Sequence, residues 1–168
     1  TAENLAAERG ISRADQDAIA PRLGDVDSDA LMTRVAVAGR AIAWSSDESS
    51  HEIRTGLEAS RFGRLKRDRP IDGGLVLQKG RIALADETQP VTDPVAALRV
   101  AVAAARVPTR ISLRTLEALQ AAPPMEDPWP DEARDLLVEL TESGSAAIPV
   151  IEALDQWGLW VRLIPEWE

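Results

Sequence analysis

The sequence predicts a mainly α protein, a helical bundle with one inserted β-hairpin at about residues 74–85. Three observations predict it. Apolar residues recur at helical spacing along most of the chain, with Pro and Gly marking the breaks. Only 75–84 sets two apolar runs on either side of a tight-turn dipeptide. The 168 residues are 45% hydrophobic and 28% charged, a globular composition with enough apolar mass for a sizeable core.

Ser12 followed by Asp15 opens a short helix that ends near Pro21 and Gly24. Ser28 reads as the N-cap of a long helix, running to about Ser49 and onward through His51 and Leu57. In it Leu31, Val35, Ala38 and Ile42 share one face, and Val37, Ala41 and Trp44 widen it, which predicts burial on more than one side. Residues 61–70 hold five basic side chains and one acid in a chain of net charge −9; with a Gly and a closing Pro, they read as a loop or linker. The hairpin follows, turning at Lys79-Gly80, where Gly supplies a positive φ. A lone hairpin is marginal and must pack on helices.

Asp93-Pro94 starts the next helix, with Val95, Leu98, Val102 and Ala105 inward, and Pro108 ends it. Ser112 caps a helix carrying Leu113, Leu116 and Leu119, stopped by Pro123-Pro124. Pro128-Trp129-Pro130 makes a bend, and Pro130 opens a helix whose Asp131 and Glu132 suit its N-terminus. Ile148, Ile151 and Leu154 lie on another helix, which ends at Gly158 before a last turn with Trp160 and Leu163. The divisions expected are a helical segment 1–60, a basic linker and hairpin 61–88, and a helical subdomain 89–168; the alternative is one compact domain over 1–168.

Composition excludes several functions. No Cys means no disulfide, thiolate metal site or thiol nucleophile, and a single His rules out a multi-histidine metal centre built by this chain alone. No apolar run reaches the roughly 18 residues a membrane span needs. The acidic balance argues against nucleic-acid binding. The start at Thr1 and the Trp-bearing end at Glu168 read as an internal piece of a larger protein.

Among candidate groups, Asp25-Val26-Asp27-Ser28-Asp29 alternates carboxylates. A calcium loop needs Gly sixth and Glu twelfth, where Ala30 and Ala36 stand, so helix capping is the better reading. His51 lacks an evident orienting partner and reads as a surface residue. Arg61, Arg64, Lys66, Arg67 and Arg69 can grip phosphates or dock an acidic neighbouring domain. Trp157, Trp160 and Trp167 are candidates for interdomain contact, since Trp is common in interfaces as well as cores. No phosphate loop, nucleophile elbow or metal-ligand cluster occurs, so no catalytic or metal residue is assigned.

Several segments nevertheless resemble, in order, the central region of the bifunctional PII-protein uridylyltransferase/uridylyl-removing enzymes, in their actinobacterial form. The likeness runs through 15–24, Ala38-Gly39-Arg40-Ala41-Ile42-Ala43-Trp44, Arg69-Pro70-Ile71-Asp72-Gly73-Gly74 and Pro128-Trp129-Pro130-Asp131-Glu132. It is strongest over 151–159 and Arg162-Leu163-Ile164-Pro165-Glu166-Trp167-Glu168. The resemblance implies a cytoplasmic enzyme with a nucleotidyltransferase domain before this region and an HD hydrolase domain after it. Such an enzyme adds UMP, or in some cases AMP, to the PII signal protein and removes it, with Mg2+ or Mn2+ serving the parent enzyme and no cofactor in this segment. The Gly-Gly-x-Gly-Arg to Ser-Asp-x-Asp run of the transferase and the His-Asp set of the hydrolase are absent here, so this segment would scaffold and couple those neighbours. The alternatives are the related helical region of glutamine synthetase adenylyltransferase and a freestanding helical adaptor. RNA binding through the basic run is a weaker third reading.

Overall fold

The computed structural model of the chain describes residues 9–62 and 68–167, without the side chains of Gln16 and 58–62. It divides into two compact units, Thr1–Ser49 and Ser50–Glu168.

In the first unit α1 spans Arg13–Ile19. The Ser12 amide and hydroxyl both donate to Asp15 (2.9 and 2.6 Å), and the Asp15 amide donates back to Ser12 Oγ (3.1 Å). These reciprocal bonds satisfy amides that a helix start leaves open. They also hold the Asp15 carboxyl below the usual carboxylate range. A 3₁₀ turn, Ala20–Leu23, ends at Gly24, whose φ of +85° suits only a residue without Cβ.

The long helix α2 covers Ser28–Phe62. Its cap is Asp27, whose Oδ1 accepts the Ala30 amide at 2.8 Å, so the expected Ser28 cap is one residue late. Ser28 is buried in the first turn, its amide 3.4 Å from Asp17 Oδ1. The helix also runs past the point expected, so Arg61 and Phe62 belong to it rather than to a linker. A second correction concerns burial: Val35, Val37 and Ile42 are exposed, against the burial on more than one side that periodicity suggested. Periodicity reports which residues share a face, and says nothing of what covers it.

Among its described residues the second unit holds four strands, β1 (Arg69–Ile71), β2 (Leu75–Gln78), β3 (Arg81–Leu84) and β4 (Arg110–Ile111), in the order β1-β2-β3-β4. β2 and β3 pair antiparallel, Leu75 opposite Leu84 and Gln78 opposite Arg81. Lys79 and Gly80 both take positive φ, which matches a two-residue turn to the strand twist. The hairpin is the middle of a sheet, however, not a lone insertion: β1 joins β2 antiparallel and β4 joins β3 in parallel. The Thr109 hydroxyl donates to the Gly80 carbonyl, and the Ser112 amide to Ile82 O at 2.8 Å, fixing β4 in place.

Against β3 and β4 lies α3 (Ala96–Arg106), buried on almost every side. Its alanines give strong helix propensity and little bulk, which lets neighbours close in all round. Around it stand α4 (Leu113–Leu119), α5 (Asp131–Glu142), α6 (Ile148–Gln156) and α7 (Trp160–Leu163), with 3₁₀ turns at Gly144–Ala146 and Pro165–Trp167. Ile82, Leu98, Leu116, Leu119, Leu140 and Leu154 are fully enclosed. Three more cap expectations shift. Asp93-Pro94 stands before α3, whose N-cap is Val95; Pro130 is the N-cap of α5 rather than its first residue; and Ser112 sits at the N-cap of α4 but donates its hydroxyl to Glu87 (2.9 Å).

Two arginines seven apart on α3 grip two glutamates seven apart on α5. Arg99 Nε and Nη2 reach Glu132 at 2.6 and 2.8 Å, and Arg106 binds both oxygens of Glu139. Arg99 also pairs with Asp93, whose other oxygen accepts the Val95 amide at 2.9 Å. Hydrogen bonds from Arg99 hold the Glu132 carboxyl below its ordinary range. A folded value below the unfolded one stabilises at pH above the unfolded value of about 4.3, and that contribution is lost as pH falls through the folded value. Glu132→Gln is therefore expected to shrink the stability difference between pH 7 and pH 3, read as urea midpoints. An unchanged difference would contradict the pairing.

Candidate functional site

In sequence the basic run reaches from the end of α2 to β1. Arg61 falls in the last turn of α2, and Arg69 opens β1 opposite Leu77, exposed. Arg64, Lys66, Arg67 and the side chain of Arg61 lie outside the described residues. At 69–71 the linker reading gives way to a strand, because pairing with β2 satisfies backbone groups that a loop would leave to water.

The three tryptophans have different surroundings. Trp160 is buried in the core, and Trp167 meets it edge-on, ring centroids 5.9 Å apart at 86°. Trp167 is 54% exposed. Trp157 is half-buried at the end of α6, its carbonyl accepting Gln120 Nε2 at 3.0 Å. Arg162 ties the same end of the unit together, donating to the carbonyls of Gln120 (2.9 Å) and Ala122 (2.5 Å). Of the three, Trp167 has the surface that a neighbour can reach directly.

The alternating carboxylates in the first unit are all engaged locally. Asp25 pairs with Arg34 at 2.6 Å, Asp27 caps α2, and Asp29 pairs with Arg13 at 2.7 Å. His51 is half-buried rather than fully on the surface, with Arg54 Nη2 3.4 Å from its Nδ1. Among the described residues no group of three His, Cys, Asp or Glu side chains could hold a metal ion. The Mg2+ or Mn2+ implied by the resemblance therefore finds no donor set among them, and no chemical step here runs through it.

One cavity of about 200 Å³ opens in the second unit between the 86–93 loop, Gly73, Leu75, Leu84 and Arg99. Its charged groups are already committed. Asp86 accepts the Thr88 amide and hydroxyl at 2.9 and 2.6 Å, which holds its carboxyl low; Asp93 and Arg99 bind each other. A catalytic pocket needs polar groups converging on open space, and these converge on one another. The sequence reading missed this cluster, since nothing in the spacing of Asp93, Arg99 and Glu132 joins two helices.

No protein-family model matches the chain, and no solved structure does. Named relatives do. A bifunctional uridylyltransferase/uridylyl-removing enzyme of Streptomyces coelicolor is 37% identical over 92% of this chain. Enzymes of the same name from Mycobacterium tuberculosis and Corynebacterium glutamicum are 38% and 32% identical over 90% and 89% of it. The chain spans about a fifth of the length of these relatives, 20%, 19% and 22% respectively. No described helix is long and apolar enough to cross a membrane.

Proposed function

We propose that this chain, similar over nine-tenths of its length to one segment of the bifunctional uridylyltransferase/uridylyl-removing enzymes, is the corresponding segment of such an enzyme. It scaffolds and couples the domain that transfers a nucleotidyl group to the PII protein and the HD domain that removes it, in the cytoplasm. Any Mg2+ or Mn2+ serves those neighbours. The observation that carries this reading is the breadth of the likeness, nine-tenths of this chain against a fifth of each relative. The names of the relatives favour the PII enzyme over glutamine synthetase adenylyltransferase.

The described residues support a mechanical role. Several of their charged groups form local pairs, and helices α3 and α5 are bolted together by Arg99 and Arg106. In this reading the basic run from Arg61 to Arg69 and the exposed Trp167 meet the neighbouring domains. Replacing Arg64, Lys66, Arg67 and Arg69 by Ala in the longer polypeptide is expected to change the rate of transfer or removal by about tenfold, the equivalent of 1.4 kcal/mol. Both rates staying at the parent value, with Trp167→Ala equally silent, would sink the coupling role.

A further inference from the structure

We infer that the exposed apolar stripe of α2 in the first unit docks an apolar helical face of the same, longer polypeptide. The inference rests on the segment reading above and names the surface that reading needs.

Among the described residues of the first unit, Ala20 is the one buried hydrophobic residue. Leu23, Val26, Met32, Val35, Val37 and Ile42 are exposed, Val35 at 53% and Ile42 at 68%. Net stability comes from buried apolar area set against a comparable entropy cost. With so little apolar surface enclosed among these residues, covering the exposed ones would add the burial that stabilises helices.

The stripe itself says what kind of cover. Met32, Val35, Gly39, Ile42 and Ser46 advance by three and four residues in turn, the spacing of a helix–helix seam. Gly39 and Ser46 are small enough for a second helix to approach closely, and a Cβ built at Gly39 meets nothing within 4 Å. Arg34, Arg40 and Asp47 fall to the sides of the stripe by helical geometry, so it is uncharged along its length. Burying it therefore desolvates no ion.

The choice of occupant follows from length. The chain spans about a fifth of its relatives, so most of such a polypeptide lies outside it. A tethered neighbour acts at an effective concentration of the order of millimolar, well above that of a separate partner.

The absence of Cys makes the test direct, because one introduced thiol is unique within these 168 residues. Val35→Cys and Ile42→Cys are made separately in the longer polypeptide, with Thr33→Cys, exposed and off the stripe, as the control. Maleimide labelling of the peptide bearing each thiol is followed by mass spectrometry. Both stripe thiols are expected to label at least about tenfold more slowly than Thr33→Cys at every protein concentration. Labelling at the control rate overturns the inference. Protection that grows with protein concentration puts a second copy on the stripe and overturns it as well. Transfer of a uridylyl group to PII, assayed on the same preparations, separates the two ideas. An inactive polypeptide with protected thiols removes the enzyme reading and leaves the docking surface.

Discussion

Replacing Leu98 by Ala is expected to destabilise the second unit by about 2–5 kcal/mol. Leu98 is fully enclosed on α3, the helix against which β3, β4, α5 and α6 all pack. Truncation removes buried methyl groups and leaves a cavity. Ala101, one turn further along the same face of α3, is fully buried and too small to swing into the gap. Urea unfolding followed by the fluorescence of Trp160, buried in the same unit, reports the loss. A change below about 1 kcal/mol would mean that α3 is not the centre of the core. Val138→Ala, on an exposed position of α5, is the matched control and should cost within about 0.5 kcal/mol.

Thr115→Val is expected to cost about 2–3 kcal/mol although it nearly preserves shape. Thr115 is fully buried on α4. Its hydroxyl accepts the Leu84 amide at 3.0 Å and donates to Glu87 at 2.7 Å, and Glu87 also accepts the Ser112 hydroxyl. One oxygen thus joins the end of β3, the loop after it and α4. Valine fills the same space and leaves both partners without that oxygen, so the loss isolates hydrogen bonding from packing. Thr115→Ser keeps the hydroxyl and should recover most of the stability, costing about 0.8 kcal/mol for the missing methyl. Equal losses in the two variants would assign Thr115 a packing role instead.

Local chemistry made some elements readable. The turn at Lys79-Gly80 needs two residues at positive φ between apolar runs, and that requirement is written in four or five adjacent positions. The helix start near Ser12 likewise rests on bonds between adjacent residues, and Asp131 and Glu132 stand in the first turn of α5 as a helix N-terminus favours. The elements missed are those whose stability comes from afar. β4 is two residues long and exists because Arg81 and Ile82 present an open edge to Arg110 and Ile111. β1, with Pro70 at its middle, reads as a break until β2 is placed beside it. The cap of α2 was placed one residue late because Asp27 and Ser28 both suit an N-cap, and only the bond to Ala30 decides between them. For the candidate residues the limit was greater. A basic run and a set of tryptophans carry no geometry of their own, and spacing could not show that Trp160 turns inward while Trp167 stays open.

As the proposed coupling segment of a PII-modifying enzyme, this chain would carry no catalytic group of its own. The most direct test incubates PII with labelled UTP, and in parallel with labelled ATP, and with either the 168-residue chain or the longer polypeptide that carries it, and then follows removal of the label from modified PII. Transfer and removal by the longer polypeptide, and neither by the 168 residues alone, are expected. Transfer by the 168 residues themselves, or a longer polypeptide that neither adds nor removes the group, would contradict that role.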